Sequence, residues 1–78
     1  MAEEVAHIRT SVPETLEAEV MQHLNRLGGV ITSVEREAES RTAIGSTVPK
    51  TRVADFRSWL QSYSDGRGRF QRISVRRD

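Results

Sequence analysis

The spacing of apolar residues along the first part of the chain predicts a strand followed by a helix. In residues 4–11, Ala6, Ile8 and Thr10 alternate with polar residues, which is typical of a half-buried strand. A stripe with helical spacing follows. Its members are Leu16, Val20, Leu24 and Leu27. The pair Gly28-Gly29 is expected to end this helix, because glycine readily adopts the left-handed conformation of a helix C-cap.

The second part of the chain has the same alternation of periods. Residues 30–34 are rich in β-branched residues and predict a second strand, although the apolar positions do not fix which side chains face inward. A polar turn over residues 35–40 and a third strand over residues 41–48 come next. Residues 64–68 predict a loop, and residues 70–75 predict the last strand. Between the third strand and this loop lies a second helical stripe, formed by Val53, Phe56, Leu60 and Tyr63.

A repeated phrase marks the start of both predicted helices. Val12-Pro13-Glu14-Thr15 recurs 36 residues later as Val48-Pro49-Lys50-Thr51. Proline suits the first turn of a helix, because its φ is preset and its missing N–H is not needed there. Ser11 and Glu14 also have the spacing of a capping box.

Two strand–helix–strand units in succession predict an α+β, ferredoxin-like βαββαβ fold. Right-handed crossovers then give a four-stranded antiparallel sheet with both helices on one face. The opposite face of the sheet stays open. Function is therefore expected on that face, at the sheet edges or in the loops.

Length and composition predict a single domain over residues 1–78. The chain has no cysteine, which excludes disulfides and thiolate metal sites. It has no apolar run of about 18 residues and no signal-peptide pattern, so a cytoplasmic location without a membrane partner is expected. The two histidines, His7 and His23, lack acidic residues at ligand spacing, and we expect no metal site and no catalytic residue. The carboxylates fall in runs that are expected to be solvated: Glu14, Glu17 and Glu19, and Glu35, Glu37 and Glu39.

The net charge of +1 conceals a basic pole near the end of the chain. Residues 67–78 carry five arginines and one aspartate, a charge of +4, so the remaining residues carry −3. The planar guanidinium suits phosphate, which makes RNA contact one interpretation. The other is that these charges protect an exposed sheet edge. The arginines are Arg67, Arg69, Arg72, Arg76 and Arg77.

Two further features each have a functional and a structural interpretation. Gly66-Arg67-Gly68 has the composition of a phosphate loop, but it follows a helix and precedes a strand, which favours a tight turn with positive φ. Trp59 lies one position off the second stripe, so it either widens the buried face or serves as a half-exposed anchor for a partner.

Two known functions of this topology are disfavoured. An acylphosphatase needs glycine and arginine in the loop after the first strand, and residues 11–14 contain neither. An RNA-recognition motif stacks bases on aromatic residues of its central strands, and the first and third predicted strands have none.

An ordered set of short motifs resembles the C-terminal domain of elongation factor G and of related translational GTPases. In chain order the set is Leu24-Asn25-Arg26, Gly29, Ile31, Val48-Pro49, Leu60 and Gly66-Arg67-Gly68-x-Phe70. The resemblance covers residues 5–75. After Phe70 the family usually continues with aromatic residues, whereas this chain has Ile73-Ser74-Val75-Arg76-Arg77.

The resemblance implies a non-catalytic, ribosome-docking module, a C-terminal fragment of a larger GTPase that acts in elongation and translocation. The chain has no Gly-x-x-x-x-Gly-Lys-Ser/Thr motif, so GTP and Mg²⁺ are expected only in an N-terminal domain of the parent protein. The implied partners are the large ribosomal subunit, through ribosomal RNA and stalk-base protein, and the other domains of the parent, with the module itself monomeric. Candidate RNA- or ribosome-binding residues are Asn25, Arg26, Arg67, Arg69, Arg72, Arg76 and Arg77, with Trp59 as a candidate partner anchor.

A second hypothesis comes from a different functional class. A freestanding ferredoxin-like regulatory domain would self-associate through the open sheet or an edge strand and bind a small ligand. Such a domain should be dimeric at micromolar concentration. A small enzyme, the third hypothesis, needs a cluster of titratable groups in a cleft, and the sequence offers none.

Overall fold

The computed structural model describes residues 4–77, except for the side chains of Arg72, Arg76 and Arg77. Its elements follow in βαββαβ order. The strands are β1 (Glu4–Pro13), β2 (Val30–Glu37), β3 (Arg41–Pro49) and β4 (Arg69–Arg77), and the helices are α1 (Glu17–Arg26) and α2 (Val53–Tyr63). The four strands form one antiparallel sheet in the order β2-β3-β1-β4. The predicted ferredoxin-like fold is confirmed.

Both helices pack on one face of the sheet and enclose the apolar core. The most buried side chains of the core, each at most 3% exposed, are Ala6, Ile8, Val12, Val20, Leu24, Ile44, Val48, Phe56 and Leu60. The two predicted helical stripes therefore face the sheet. Tyr63 is the exception, with 43% of its surface exposed. It lies in the last turn of α2, where its ring stacks on Trp59 instead of entering the core.

Each helix begins one turn later than the sequence predicted. Pro13 and Pro49 are the last residues of β1 and β3, with ψ of 140° and 135°. A single 3₁₀ turn follows each proline, Glu14–Leu16 in the first half and Lys50–Arg52 in the second. The repeated phrase thus marks the same junction twice, a strand that ends in proline and turns into a helix.

The predicted capping box at Ser11 and Glu14 is wrong. Ser11 is still part of β1, where it pairs with Ala43. Its hydroxyl donates to a carboxylate oxygen of Glu37 at 2.8 Å, and Glu14 instead accepts a bond of 2.6 Å from Arg36. Long-range partners therefore occupy both side chains, and neither caps the helix.

Both helices end in a Schellman motif, in which two successive N–H groups bond back to the last turn. Gly28, with φ of +81°, begins the motif after α1, as predicted. Asp65 takes the same left-handed position after α2, with φ of +55°. The bonds are Gly28 to Asn25 (3.1 Å), Gly29 to Leu24 (2.9 Å), Asp65 to Ser62 (3.4 Å) and Gly66 to Gln61 (3.0 Å).

Strand β2 contains a bulge, which explains why its sequence pattern does not alternate. The pairing with β3 shifts between Ile31 and Ser33, so Thr32 is an extra residue. The strand also continues to Glu37, three residues past its predicted end at Val34. The turn itself is confined to residues 38–40.

Candidate docking surfaces

The candidate residues of the sequence lie at opposite ends of the sheet. Asn25 and Arg26 are exposed in the last turn of α1, near the end of β3, where Gly29 packs closely against Val48. Arg67 lies near the start of β3, since Arg41 donates to its carbonyl oxygen at 2.7 Å. Because β3 has nine residues, at about 3.3 Å per residue its ends are about 26 Å apart. These candidates therefore do not form one site.

The turn between α2 and β4, residues 64–68, holds Arg67 on two sides. The backbone N–H and the Nε of Arg67 both donate to the carbonyl oxygen of Ser64, at 3.1 and 3.2 Å. The carbonyl oxygen of Arg67 accepts the bond from Arg41. Within the described residues, the terminal amino groups of Arg67 make no hydrogen bond or ion pair. The guanidinium is therefore held through its Nε, while its exposed amino groups have no acceptor among the described residues.

Ser64 is the buried centre of this α2–β4 turn. Its hydroxyl donates to the carbonyl oxygen of Leu60 at 2.5 Å and accepts from the N–H of Gly68 at 2.8 Å. A Cβ at Gly68 would lie 2.7 Å from Cγ of Leu60, and Gly66 has φ of +79°. These values fit the tight-turn interpretation of the Gly-Arg-Gly motif. The N–H of Gly68 is already bonded, so it is not free to hold a phosphate.

A polar network covers part of the open face of the sheet, close to the α2–β4 turn. We call it the open-face network, and its members are Arg9, Ser11, Glu35, Glu37, Arg41 and Gln71. Gln71 belongs to it because a bulge interrupts the β1–β4 pairing between Arg9 and Thr10. The carboxylates of Glu35 and Glu37 lie at the surface, as expected, and cross-strand donors also bind both of them.

Hydrogen bonds to Glu37 stabilise its charged form. Ser11 donates to one carboxylate oxygen at 2.8 Å, and Gln71 donates to the other at 3.2 Å. These bonds lower the pKa of Glu37 below its usual value, with Ser11 as the larger cause. The ionised carboxylate thus helps to orient Ser11, whose oxygen also accepts a bond of 2.9 Å from Nε of Arg41.

The remaining arginines of the basic pole are residues of β4, which is an edge strand. Arg69 is exposed at the start of the strand and makes no side-chain hydrogen bond or ion pair with a described residue. The backbone register pairs Arg72 with Arg9, Arg76 with Val5 and Arg77 with Glu4. The side chains of these three candidates lie outside the described residues. An arginine-rich edge strand is also what protection against edge pairing predicts.

Trp59 is the centre of three stacked rings on the helical layer, which we call the ring stack. Its ring lies 4.0 Å from His23 of α1 and 4.8 Å from Tyr63, with interplanar angles of 5° and 9°. Trp59 is half-buried and packs against the core, so it widens the buried face. Its role as an anchor for a partner stays a prediction.

His23, at one end of the ring stack, has a lowered pKa. Burial is the larger cause, and the charge of Arg26 lowers the pKa further.

Comparison with known proteins assigns the family. The family model described as "Elongation factor G C-terminus" matches residues 1–74. The chain belongs to the elongation factor G C-terminal family. In this family the domain is a non-catalytic part of translation factors. No curated protein matches the chain.

Solved structures support the fold of this elongation factor G C-terminal domain. A crystal structure of a protein from Thermus thermophilus superposes with a TM-score of 0.80 and 19% sequence identity. The match covers 99% of this chain but 12% of the Thermus thermophilus chain. In all, 119 chains of solved structures match. At 19% identity this likeness shows the fold alone, so function has to be argued from the site.

Sequence reasoning missed a groove between α2 and β4 of this elongation factor G C-terminal domain. The groove has a volume of about 740 Å³, and Ile73 and Val75 of β4 line it. These two side chains are 41% and 47% exposed. The cross-strand pairs with Ile8 and Ala6 place them on the helical side of the sheet, but α2 does not cover them. Their alternate spacing marks the face, whereas their exposure depends on how α2 is placed.

The described residues contain neither a candidate metal site nor a candidate membrane-spanning helix. Between residues 4 and 77, no group of three or more acidic or histidine side chains could hold a metal ion. Over the same part of the chain, no helix is long and apolar enough to cross a membrane.

Proposed function

We propose that this chain is a non-catalytic module that docks on the large ribosomal subunit as part of an elongation-factor-G-like GTPase. Membership of the family makes it a translation-factor domain. The parent factor would carry GTP and Mg²⁺ in another domain and act during elongation and translocation in the cytoplasm. The module spans 12% of the Thermus thermophilus protein that it resembles, which fits one domain of a larger factor.

The arrangement of Arg67 is the observation that carries the proposed docking role. Its backbone and Nε are fixed by Ser64 and Arg41, and the terminal amino groups point to no described partner. A guanidinium in this state presents a fork that matches a phosphate group. Because the side chain is already ordered, binding costs less conformational entropy than it would for a free arginine. Arg69, two residues on, adds a second exposed cation.

Removing Arg67 and Arg69 together should weaken binding to large ribosomal subunits and reduce its salt dependence. Each phosphate contact contributes roughly 0.7–0.9 to the slope of log affinity against log salt concentration, because bound counterions are released. Arg67→Ala with Arg69→Ala should therefore lower the slope by about 1–2. Binding of the 78-residue chain to purified subunits, measured across a salt series, tests this expectation.

A charge-matched control separates this contact from general electrostatic attraction. Lys50→Ala with Arg52→Ala removes the same charge from the opposite end of the sheet, where both side chains are exposed. This control should keep the slope of the unmodified chain. Equal losses in both double variants would reject a specific contact at the α2–β4 turn. Absence of binding by the unmodified chain at low salt would reject the docking function itself.

Self-association is the second candidate function, and the α2–β4 groove favours it. Ile73 and Val75 are exposed on β4, an edge strand whose outer backbone groups are unpaired in the sheet that the described residues form. An apolar surface next to a free edge is a common site of pairing between chains. The arginines of β4 oppose this, since two copies would bring like charges together. Sedimentation at micromolar concentration decides the matter: we expect a monomer, and a stable dimer would favour the regulatory domain.

A further inference from the structure

We propose that Arg41 is a positioning residue that sets the orientation of Arg67 for docking, an inference that rests on the proposed function. Arg41 is the first residue of β3, and β3 is not a neighbour of β4 in the sheet. Its side chain nevertheless spans β1 and reaches the α2–β4 turn. One amino group, Nη2, donates to the carbonyl oxygens of Ser11 and Arg67, at 2.8 and 2.7 Å.

The bonds of Arg41 require the shape of a guanidinium. Nε donates to the hydroxyl oxygen of Ser11 at 2.9 Å while Nη2 donates to the two carbonyl oxygens. A rigid planar group can make these bonds together, whereas a lysine ammonium on a flexible stem cannot reproduce the set. Ser11 is in turn oriented by the ionised Glu37. The open-face network therefore ends on the backbone of the residue that we propose contacts the ribosome.

Arg41 acts through Arg67, since in this geometry its own guanidinium cannot offer a phosphate two free amino groups. Two of its three nitrogen groups are occupied by protein acceptors. Without Arg41, Ser64 still bonds the N–H and Nε of Arg67, but the carbonyl side of the turn is released. The turn then has freedom to reorient Arg67. Loss of Arg41 should therefore matter for docking only while Arg67 is present.

A double-mutant cycle tests this dependence. The four proteins are the unmodified chain, Arg41→Lys, Arg67→Ala and the double variant, each measured for binding to large ribosomal subunits at one low salt concentration. Arg41→Lys should weaken binding about tenfold, the effect of losing charge-assisted bonds that orient the contact. In the Arg67→Ala background the same change should have no further effect, because the residue it positions is gone. Additive losses would overturn the positioning role.

Amide hydrogen exchange in the free chain gives a readout that does not depend on the ribosome. Arg41→Lys should speed exchange at the N–H groups of Arg67 and Gly68 about tenfold, since the turn opens more often. The equivalent turn after α1 provides an internal control, and Gly28 and Gly29 should keep their rates. Unchanged exchange at the α2–β4 turn would overturn the proposal even if ribosome binding is normal.

A second variant distinguishes this effect from a general loss of arginine. Arg36→Lys changes an arginine of the β2–β3 hairpin, to which Arg41 also belongs. The side chain of Arg36 bonds Glu14 and makes no bond to the α2–β4 turn. It should leave both ribosome affinity and exchange at the turn unchanged. If the unmodified chain does not bind ribosomes but Arg41→Lys still releases the turn, the docking function fails while the structural hold of Arg41 stands.

Discussion

Replacing Phe56 with alanine is expected to lower the free energy of unfolding by about 4 kcal/mol. The ring of Phe56 is fully buried, and its centroid lies 5.7 Å from that of Phe70 and 6.1 Å from that of Trp59. Truncation removes this apolar surface and leaves a cavity that the sheet and helices cannot fill. A domain of this size has a stability of roughly 5–10 kcal/mol, so the loss is a large part of the total. Urea denaturation followed by circular dichroism measures it.

Tyr63→Ala is the matched control on the same helix. Both residues belong to the apolar stripe of the sequence, but Tyr63 is 43% exposed and loses mainly its stacking on Trp59. That contact is worth about 1 kcal/mol. If the two variants lost equal stability, the assignment of Phe56 to the core and Tyr63 to the surface would be wrong.

The contrast between Phe56 and Tyr63 shows what a periodic pattern can predict. The helical period identifies the face that turns toward the sheet, and on both helices that face was identified correctly. It does not give the length over which the sheet covers the helix. Tyr63 follows the period but lies in the last turn, where its ring packs on a neighbour of its own helix. Burial at helix ends depends on tertiary placement, which no local pattern contains.

Local motifs failed where a distant residue competed for the same side chain. Ser11 and Glu14 have the spacing of a capping box, yet Glu37 and Arg36 of strand β2 bind them. The parity of β2 was undetermined for a related reason. A bulge at Thr32 shifts the pairing register of β2. The bulge depends on β3, because Gly45 of β3 has no side chain and so leaves room for the hydroxyl of Ser33.

The candidate site was predicted in part. The composition of Gly66-Arg67-Gly68 indicated a tight turn, and the position of Arg67 in it follows from the chain order. Arg41 gave no signal, because its bond to Arg67 joins residues 26 positions apart and belongs to no motif. The sequence also suggested one set of basic contacts. The fold places Arg26 and Arg67 at opposite ends of the sheet, because the two helices run in opposite directions along it.

Gly29→Ala is expected to lower the free energy of unfolding by about 3 kcal/mol, at the upper end of the usual cost of overpacking. A Cβ at this position would lie 2.6 Å from Val48 Cγ1, 2.9 Å from the carbonyl oxygen of Leu24 and 3.1 Å from that of Thr47. Two of these atoms belong to the backbone of α1 and β3, so they cannot move aside as a flexible side chain would. The expected result is a separation of helix and strand, measured as a lower urea midpoint.

Gly66→Ala provides a control at the equivalent position after α2. Gly66 has φ of +79° but no atom within 4 Å of its would-be Cβ, so alanine meets only backbone strain, about 1 kcal/mol. Gly29 is not among the described residues with positive φ, and its cost is therefore steric. A larger loss at Gly66 than at Gly29 would contradict this explanation. It would mean that the connection after α1 has room to shift, and that close packing against β3 does not fix the position of α1.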